Sequence, residues 1–315
     1  MESQPVFSIV IATYNYGRFI DQALDSALSL RFPRENIEVI VVDDGSTDDT
    51  SARLASYAGR VCAIYQPNQG EIAAYRAGIQ AAKGHFIAFL DADDYFYLDK
   101  LSAVMNEFNR TPGVGVVYNR FDLINEDCEL LQSRRPKRIR RGSLGALTRY
   151  RHLTGAPTSG ITIETALLKQ YPIPVESWRT NLDHFYLSIL PLVTRVGYVA
   201  EPMHAYRQHA FSQYMSQSRE RQNELGTQQK RLIWAYARER LGQQFFDEVR
   251  LDAGQSSPAA FPRRLHAARI EAGWVFRDNA PTALRLGALA KITARGLLPP
   301  DIYHWMQLIR RRLWA

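Results

Sequence analysis

Phe86-Ile87-Ala88-Phe89-Leu90-Asp91-Ala92-Asp93-Asp94 is the stretch that decides the reading of this chain. An apolar run ends abruptly in three carboxylates spread over four positions. Such a cluster repels itself unless a cation sits among the oxygens. Phe86 to Leu90 is too apolar for an edge strand and reads as the buried centre of a parallel sheet. Open α/β folds place their ligands at the carboxyl ends of such strands. The segment therefore predicts both a fold and a chemistry.

Upstream, strand and helix alternate. Phe7 to Ala12 is a short apolar run, followed by Arg18 to Leu30 with Ile20, Ala23, Leu24, Ala27 and Leu28 at helical spacing. Ile37 to Val42 is β-branched and ends in Asp43-Asp44-Gly45-Ser46-Thr47, where Ser46 or Thr47 fits the N-cap of a helix through Tyr57. Val61 to Tyr65 is a third strand, and Glu71 to Ala82 a helix stopped by Lys83-Gly84. Strands alternating with crossover helices predict a parallel sheet with right-handed connections. Downstream, the spacing predicts a helix over Leu98 to Asn109, a strand over Val114 to Asn119 and a hairpin turn at Asn125-Glu126-Asp127. A helix follows over Leu182 to Leu192, then two short strands within Val196 to Arg207 split by Pro202. From Phe211 onward the pattern is helix after helix.

The 315 residues are 46% hydrophobic, enough for one large domain or one domain with a helical appendage. No apolar run reaches the roughly 18 residues of a membrane span, and the polar start Met1 to Pro5 is not of signal-peptide type. Cys62 and Cys128 cannot build a disulfide framework, which suits a reducing, cytoplasmic setting. The net charge of +7 is uneven: residues 1–218 hold 22 basic and 23 acidic side chains, residues 219–315 hold 17 and 9. A basic tail fits a polyanion or an anionic membrane surface; it equally fits amphipathic helices with Arg on the wet face. In Thr282 to Trp314, Leu and aromatic residues alternate with Arg and Lys. That composition suits a helix on an anionic membrane, on its own domain or on a second subunit. Arg134 to Arg141 holds six basic residues in eight positions and reads as a loop, able to meet donor phosphates or an anionic acceptor.

Four polar clusters follow four strands: Thr13-Tyr14-Asn15, Asp43-Asp44, Asn68-Gln69-Gly70 and Asp91-Ala92-Asp93. A parallel sheet lines such ends up along one edge and makes them one site. A carboxylate at Asp43 or Asp44 can accept from a base N–H or ribose hydroxyls, or can simply cap a turn. Tyr14 can stack on a base or pack half-buried. Asp91 and Asp93 suit a hard cation, Mg²⁺ or Mn²⁺, which binds through one or two carboxylates plus substrate phosphates. No Cys/His cluster points to zinc.

The order and spacing of these clusters resemble the family 2 glycosyltransferases of the GT-A fold. Phe7 to Asn15 is similar to the family's opening strand, and Val41 to Asp48 to its nucleotide motif. Asn68-Gln69-Gly70 through Lys83-Gly84 resembles its middle helix, and Asp91-Ala92-Asp93-Asp94 its Asp-x-Asp motif. The resemblance is dense over residues 6–118 and thinner to about 209. It implies a Rossmann-like, mostly parallel sheet flanked by helices, with a C-terminal helical extension. It implies a catalytic domain over 1–217, with a nucleotide-sugar half at 6–118 and an acceptor half at 119–217. A basic helical region over 218–315 would follow.

The same resemblance implies inverting sugar transfer from a nucleotide diphosphate sugar, a UDP-sugar foremost. The acceptor would be a saccharide, a lipid-linked or a protein hydroxyl, in polysaccharide or envelope synthesis. Thr13, Tyr14, Asn15, Asp43, Asp44, Asn68, Gly70, Arg76, Asp91, Ala92 and Asp93 would form the donor site. Tyr75 stands where the family usually has Arg, and Arg76 where many members have Asn. Asp93 would ligate the metal, and His209 would join it or touch the diphosphate. Asp183 matches the family's catalytic base, although Leu182 replaces the Glu that normally precedes it. An ordinary carboxylate pKa suffices for that role. Thr158 and Ser159 would donate to the acceptor sugar, or form only a turn. A sugar nucleotidyltransferase would need a Gly-rich phosphate loop and a Lys near the N-terminus; a dehydrogenase would need Gly-x-Gly-x-x-Gly after the first strand. Neither is present. A non-catalytic sugar-nucleotide-binding scaffold is the remaining alternative, and five carboxylates at 43, 44, 91, 93 and 183 argue against it. No nucleic-acid partner is expected, and a homo-oligomer stays open.

Overall fold

A computed structural model describes residues 5–134, 156–209 and 219–241. Residues 135–141 of the basic run and the segment 282–314 lie outside the described residues. Among the described residues, nine strands form one sheet with helices against it. The first half runs β1 (Phe7–Thr13), α1 (Gly17–Leu28), β2 (Ile37–Asp43), α2 (Thr50–Ala55), β3 (Cys62–Tyr65), α3 (Glu71–Ala81) and β4 (Phe86–Asp91). Then come β5 (Tyr95–Phe96), α4 (Lys100–Arg110), β6 (Val114–Ile124), β7 (Leu130–Arg134), β8 (Ile161–Glu164) and α5 (Thr165–Gln170). The chain continues through α6 (Leu182–Ile189), β9 (Arg195–Arg207) and α7 (Arg219–Leu241).

The strand order is β3-β2-β1-β4-β8-β6-β9-β5, with β7 beside β6. The β3-β2-β1-β4 half is parallel, as strand-helix alternation requires. Phe86 to Leu90 is buried throughout, because helices cover both faces of a central strand. Helix α1 buries Phe19, Ile20, Ala23, Leu24 and Ala27 against the sheet. Helix α3 approaches β1 so closely that a Cβ on Gly78 would stand 2.3 Å from Val10 Cγ1. Short β8 runs antiparallel to β4 and β6, and β6 pairs with β9 in parallel.

Three expectations need correction. Strand β6 runs past Asn119 to Ile124, since Phe121 and Leu123 stay buried on one face while Arg120 and Asp122 alternate outward, and Ile124 is buried at its end. The Val196 to Arg207 region is one strand: Pro202 does not divide it, and the pairing with β6 instead jumps from Val199 to Pro202 in a bulge. Helix α2 starts at Thr50, whose N–H and hydroxyl both donate to the Asp48 carboxylate (3.0 and 2.5 Å). Ser46 and Thr47 are spent on Asn15 instead.

Candidate active site

Parallel registry makes the site. Thr13 pairs with Asp43, Asp43 with Tyr65 and Ala12 with Asp91, so all four strand ends stop along one edge. The ends of β6 and β9 reach the same edge, bringing Tyr206 to His209 up to the Asp91-Ala92-Asp93 segment.

On the β1–β2–β3 side, Asp44 is buried and its carboxylate accepts from Gln66 Nε2 (2.7 Å), Gln69 N–H (2.9 Å) and Gly70 N–H (2.7 Å). That grip draws the Asn68-Gln69-Gly70 loop over the end of β2. Gly70 adopts φ +96°, which a side chain would resist, and opens α3. Asp43 accepts from Ser46 N–H and the Ser51 hydroxyl, so it fastens its own turn. Asn15 sits in the left-handed region and accepts from Thr47 N–H (2.7 Å), stitching the first loop to the second. Tyr14 is half-buried, and Asn68 is exposed. The Thr13 hydroxyl is buried with no protein partner, the one orphaned polar atom at this end of the site among the described residues. Asp43 and Asn15 thus spend their described hydrogen bonds on the scaffold. Arg76 lies 3.7 Å from Glu176 in an exposed ion pair.

On the β4 side, acidic groups converge. Asp91 accepts the Tyr75 hydroxyl, which fills the place where Arg was expected. Asp93 accepts from His209 Nε2 at 2.8 Å. The buried His209 ring lies among Tyr16 and Phe19. Asp94 is buried, and its carboxylate takes the Ser159 hydroxyl (2.6 Å) and the Arg207 N–H (2.8 Å). Burial, then the neighbouring carboxylates, push the Asp91 carboxyl well above the usual range. Asp94 is raised in the same way, against its bonds from Ser159 and Arg207. Glu71, in the first turn of α3, is pushed up to about 7 by burial and by the charges of Asp183 and Asp93. Tyr16 and Tyr206 feel the same carboxylates, and their hydroxyls are raised far beyond neutrality.

Ser159 corrects an expectation. It is fully buried, and its hydroxyl accepts the Asp91 N–H (3.0 Å) while donating to Asp94. It braces the acidic segment from beneath and cannot also serve an acceptor sugar; Thr158 is buried beside it. The Ser159 carbonyl accepts from Lys100 Nζ (3.2 Å), a buried ammonium that also bonds Asn119 and lies over Phe96. Desolvation lowers that Lys to about 7. Asn119 in turn donates to His204 Nδ1 at 2.8 Å. Arg207, also buried, donates through Nε to the Asp93 carbonyl (2.7 Å) and through its other nitrogens to Gln22 and the Asn125–Cys128 turn. Lone Ser, Lys, Asn and Arg residues carried no sequence signal for these roles.

Asp183 opens α6, after Asn181 in a left-handed conformation. Burial raises its carboxyl above the ordinary carboxylate value; the charge of His184 and first-turn N–H groups oppose the shift. Its charge acts on both Glu71 and Tyr206, two groups that the charges of the acidic segment also reach.

An open α/β sheet with an acidic ligand site at its carboxyl edge defines a class of nucleotide-handling folds. The sequence matches the model of glycosyl transferase family 2 over residues 8–171. This chain belongs to that family. An uncharacterized glycosyltransferase of Nostoc is 31% identical over 66% of this chain and 66% of its own length. The chondroitin synthase of Pasteurella multocida is 34% identical over 40% of this chain, but only 13% of its own length. The chain thus spans from about two thirds to a small part of such relatives. Among solved structures, S. aureus TarS in complex with UDP-GlcNAc is similar at a TM-score of 0.56 and 17% identity, over 91% of this chain and 80% of that one. GalNAc-T7 with UDP, GalNAc and Mn²⁺ is similar at 0.52 and 17% identity, over 66% and 45%. These two likenesses concern the fold.

Proposed function

We propose that the protein transfers a sugar from a nucleoside diphosphate sugar to an acceptor hydroxyl with inversion at the anomeric carbon. What supports this reading is the tie between the turn before Asp183 and the acidic segment through Glu71, which accepts from Thr180 and feels the charges of both Asp183 and Asp93. The nucleotide lies at the β1–β3 ends, against Tyr14, Asp44 and the unpartnered Thr13 hydroxyl. The sugar and diphosphate lie toward Asp91 and Asp93. UDP in the two similar structures supports a uridine donor.

The acceptor oxygen attacks the anomeric carbon from the face opposite the diphosphate. Its proton passes to Asp183, the bond from carbon to the diphosphate oxygen breaks, and the diphosphate leaves with the electron pair. Burial makes Asp183 more basic than a solvated Asp, which improves it as proton acceptor. General-base help of this kind is worth about 10²–10⁴-fold.

The donor set at Asp93 fits a divalent cation. Asp93 and His209 present adjacent ligand atoms, and the crowded carboxylates around them call for positive charge. Among the described residues no three His, Cys, Asp or Glu groups could hold an ion alone. Mg²⁺ and Mn²⁺ commonly take their remaining ligands from substrate phosphates. Asp93 and His209 would hold the ion, which when bound stabilises charge on the departing diphosphate. The Mn²⁺ in GalNAc-T7 supports that choice.

The acceptor would be a saccharide, lipid-linked or protein hydroxyl in polysaccharide or envelope synthesis, a reading supported by the chondroitin and hyaluronan synthase relatives. Among the described residues no helix is long and apolar enough to cross a membrane. Two free, exposed cysteines favour the reducing cytoplasm, with the basic tail at the inner membrane face or a second subunit. We set the end of the catalytic unit after α7, which packs on it through Tyr236. The test is Asp183→Asn with UDP-sugars and metal present. Folding and donor binding should persist while transfer falls at least about 10²-fold. Turnover at the wild-type rate would overturn the assignment.

A further inference from the structure

We infer that Gln229 of α7 is a positioning residue for the transfer step, one jaw of a clamp that aims Asp183. The inference rests on the reading of Asp183 as the base. It concerns residues beyond the stretch that matches the family model, which ends at 171.

Asp183 follows a turn that has little regular structure to hold it. Asn181 is left-handed at φ +64°, a conformation that costs energy for a non-glycine residue. Such a turn persists only where its surroundings over-determine it. Two elements do so from different directions. From α3, Glu71 accepts the Thr180 hydroxyl at 3.0 Å, and the adjoining Gly70 faces the Arg179 carbonyl. From α7, Gln229 makes three contacts with the turn. Its Nε2 donates to the Thr180 carbonyl (3.2 Å), and its Oε1 accepts from His184 Nδ1 (2.9 Å) and Asn181 Nδ2 (3.5 Å).

Gln229 therefore grips residues on both sides of Asp183 with a side chain only 4% exposed. A buried amide that spends both its ends on one turn fixes that turn in space. Its seat on α7 is rigid as well. Tyr236 donates to the Pro172 carbonyl (2.8 Å) and meets Phe185 of α6 edge-on at 5.0 Å. The Trp178 indole closes the turn from within by donating to the Asn181 carbonyl (3.3 Å). Helix α7 thus braces the turn that carries Asp183. A proton acceptor must sit within hydrogen-bond reach of the acceptor hydroxyl, and misplacement by about 1 Å can cost about 10²-fold.

The test uses the full chain with UDP-sugar, Mn²⁺ and acceptor, and compares Gln229→Leu, Gln229→Glu and Asp183→Asn. Gln229→Leu should lower kcat by about ten- to a hundredfold, with the donor KM and the UDP-induced thermal shift within about twofold of wild type. Gln229→Glu keeps the acceptor oxygen for His184 and Asn181, loses the donation to Thr180 and adds a carboxylate charge to the turn. It should recover part of the lost kcat, and it remains readable if the Leu variant fails to fold. Wild-type kcat in Gln229→Glu, with Gln229→Leu either unimpaired or unfolded, would overturn the clamp. So would equal losses in kcat and donor binding. If Asp183→Asn itself turns over at the wild-type rate, the base assignment falls instead, so the two failures are distinguishable.

Discussion

Replacing Glu71 with Gln isolates the electrostatic cost of the acidic site. Glu71 is held near Asp183 and Asp93 in a desolvated position, and its pKa rises from 4.5 to about 7. The Thr180 hydroxyl and the Asn181 N–H oppose that rise without cancelling it. At about 1.4 kcal/mol per pKa step, ionising Glu71 in the native state costs up to about 3 kcal/mol relative to the unfolded chain. Below about pH 4.5 both states hold the proton and the cost is absent. Between about 4.5 and 7 the unfolded chain releases the proton and the native state keeps it, so stability falls as pH rises. Above about 7 the full cost is present. Gln cannot ionise, still accepts from Thr180, and offers an N–H to the surrounding carboxylates. Urea unfolding at pH 5 and pH 8, with chelator present to keep cations off the site, measures the effect. Glu71→Gln should gain on wild type by up to about 3 kcal/mol more at pH 8 than at pH 5. Acidic neighbours such as Asp91 and Asp94 titrate in both proteins, so the difference between the two curves reports Glu71. A difference that does not change with pH would refute the reasoning.

Further outcomes follow from the same geometry. Mn²⁺ with UDP should raise the melting temperature of the wild type by mass action, about 2.7 kcal/mol at a hundred times the dissociation constant; Asp93→Ala should abolish the metal-dependent part in a thermal-shift titration. Ser159→Ala strips the Asp91 N–H and the Asp94 carboxyl of a partner, and chemical denaturation should show a loss of about 1–3 kcal/mol. Gly78→Ala drives a methyl into Val10 between α3 and β1. It should cost about 1–3 kcal/mol in the same assay, and an unchanged midpoint would contradict the close packing.

The parallel half of the sheet, and the edge at which its strands end, are legible in the sequence alone. Buried parallel strands are continuous apolar runs, so Phe7 to Ala12, Ile37 to Val42 and Phe86 to Leu90 are legible without a partner. The polar residues that follow each of them must then share an edge. Local signals failed where a residue's duty is set by distant chain. Asp43 and Asn15 tie neighbouring loops together, a duty that no local pattern announces. Ser159 looks like part of a turn, yet it lies buried under the acidic segment because β8 inserts beside β4. Pro202 looks like a strand breaker, but a bulge absorbs it. Glu71 and Gln229 are 158 positions apart in the chain and meet at one turn only because α3 and α7 flank it. Period and composition report which face of an element is apolar; they do not report which buried polar atoms face each other. Chain folding sets which carboxylates are crowded, which are satisfied, and what braces the turn before Asp183.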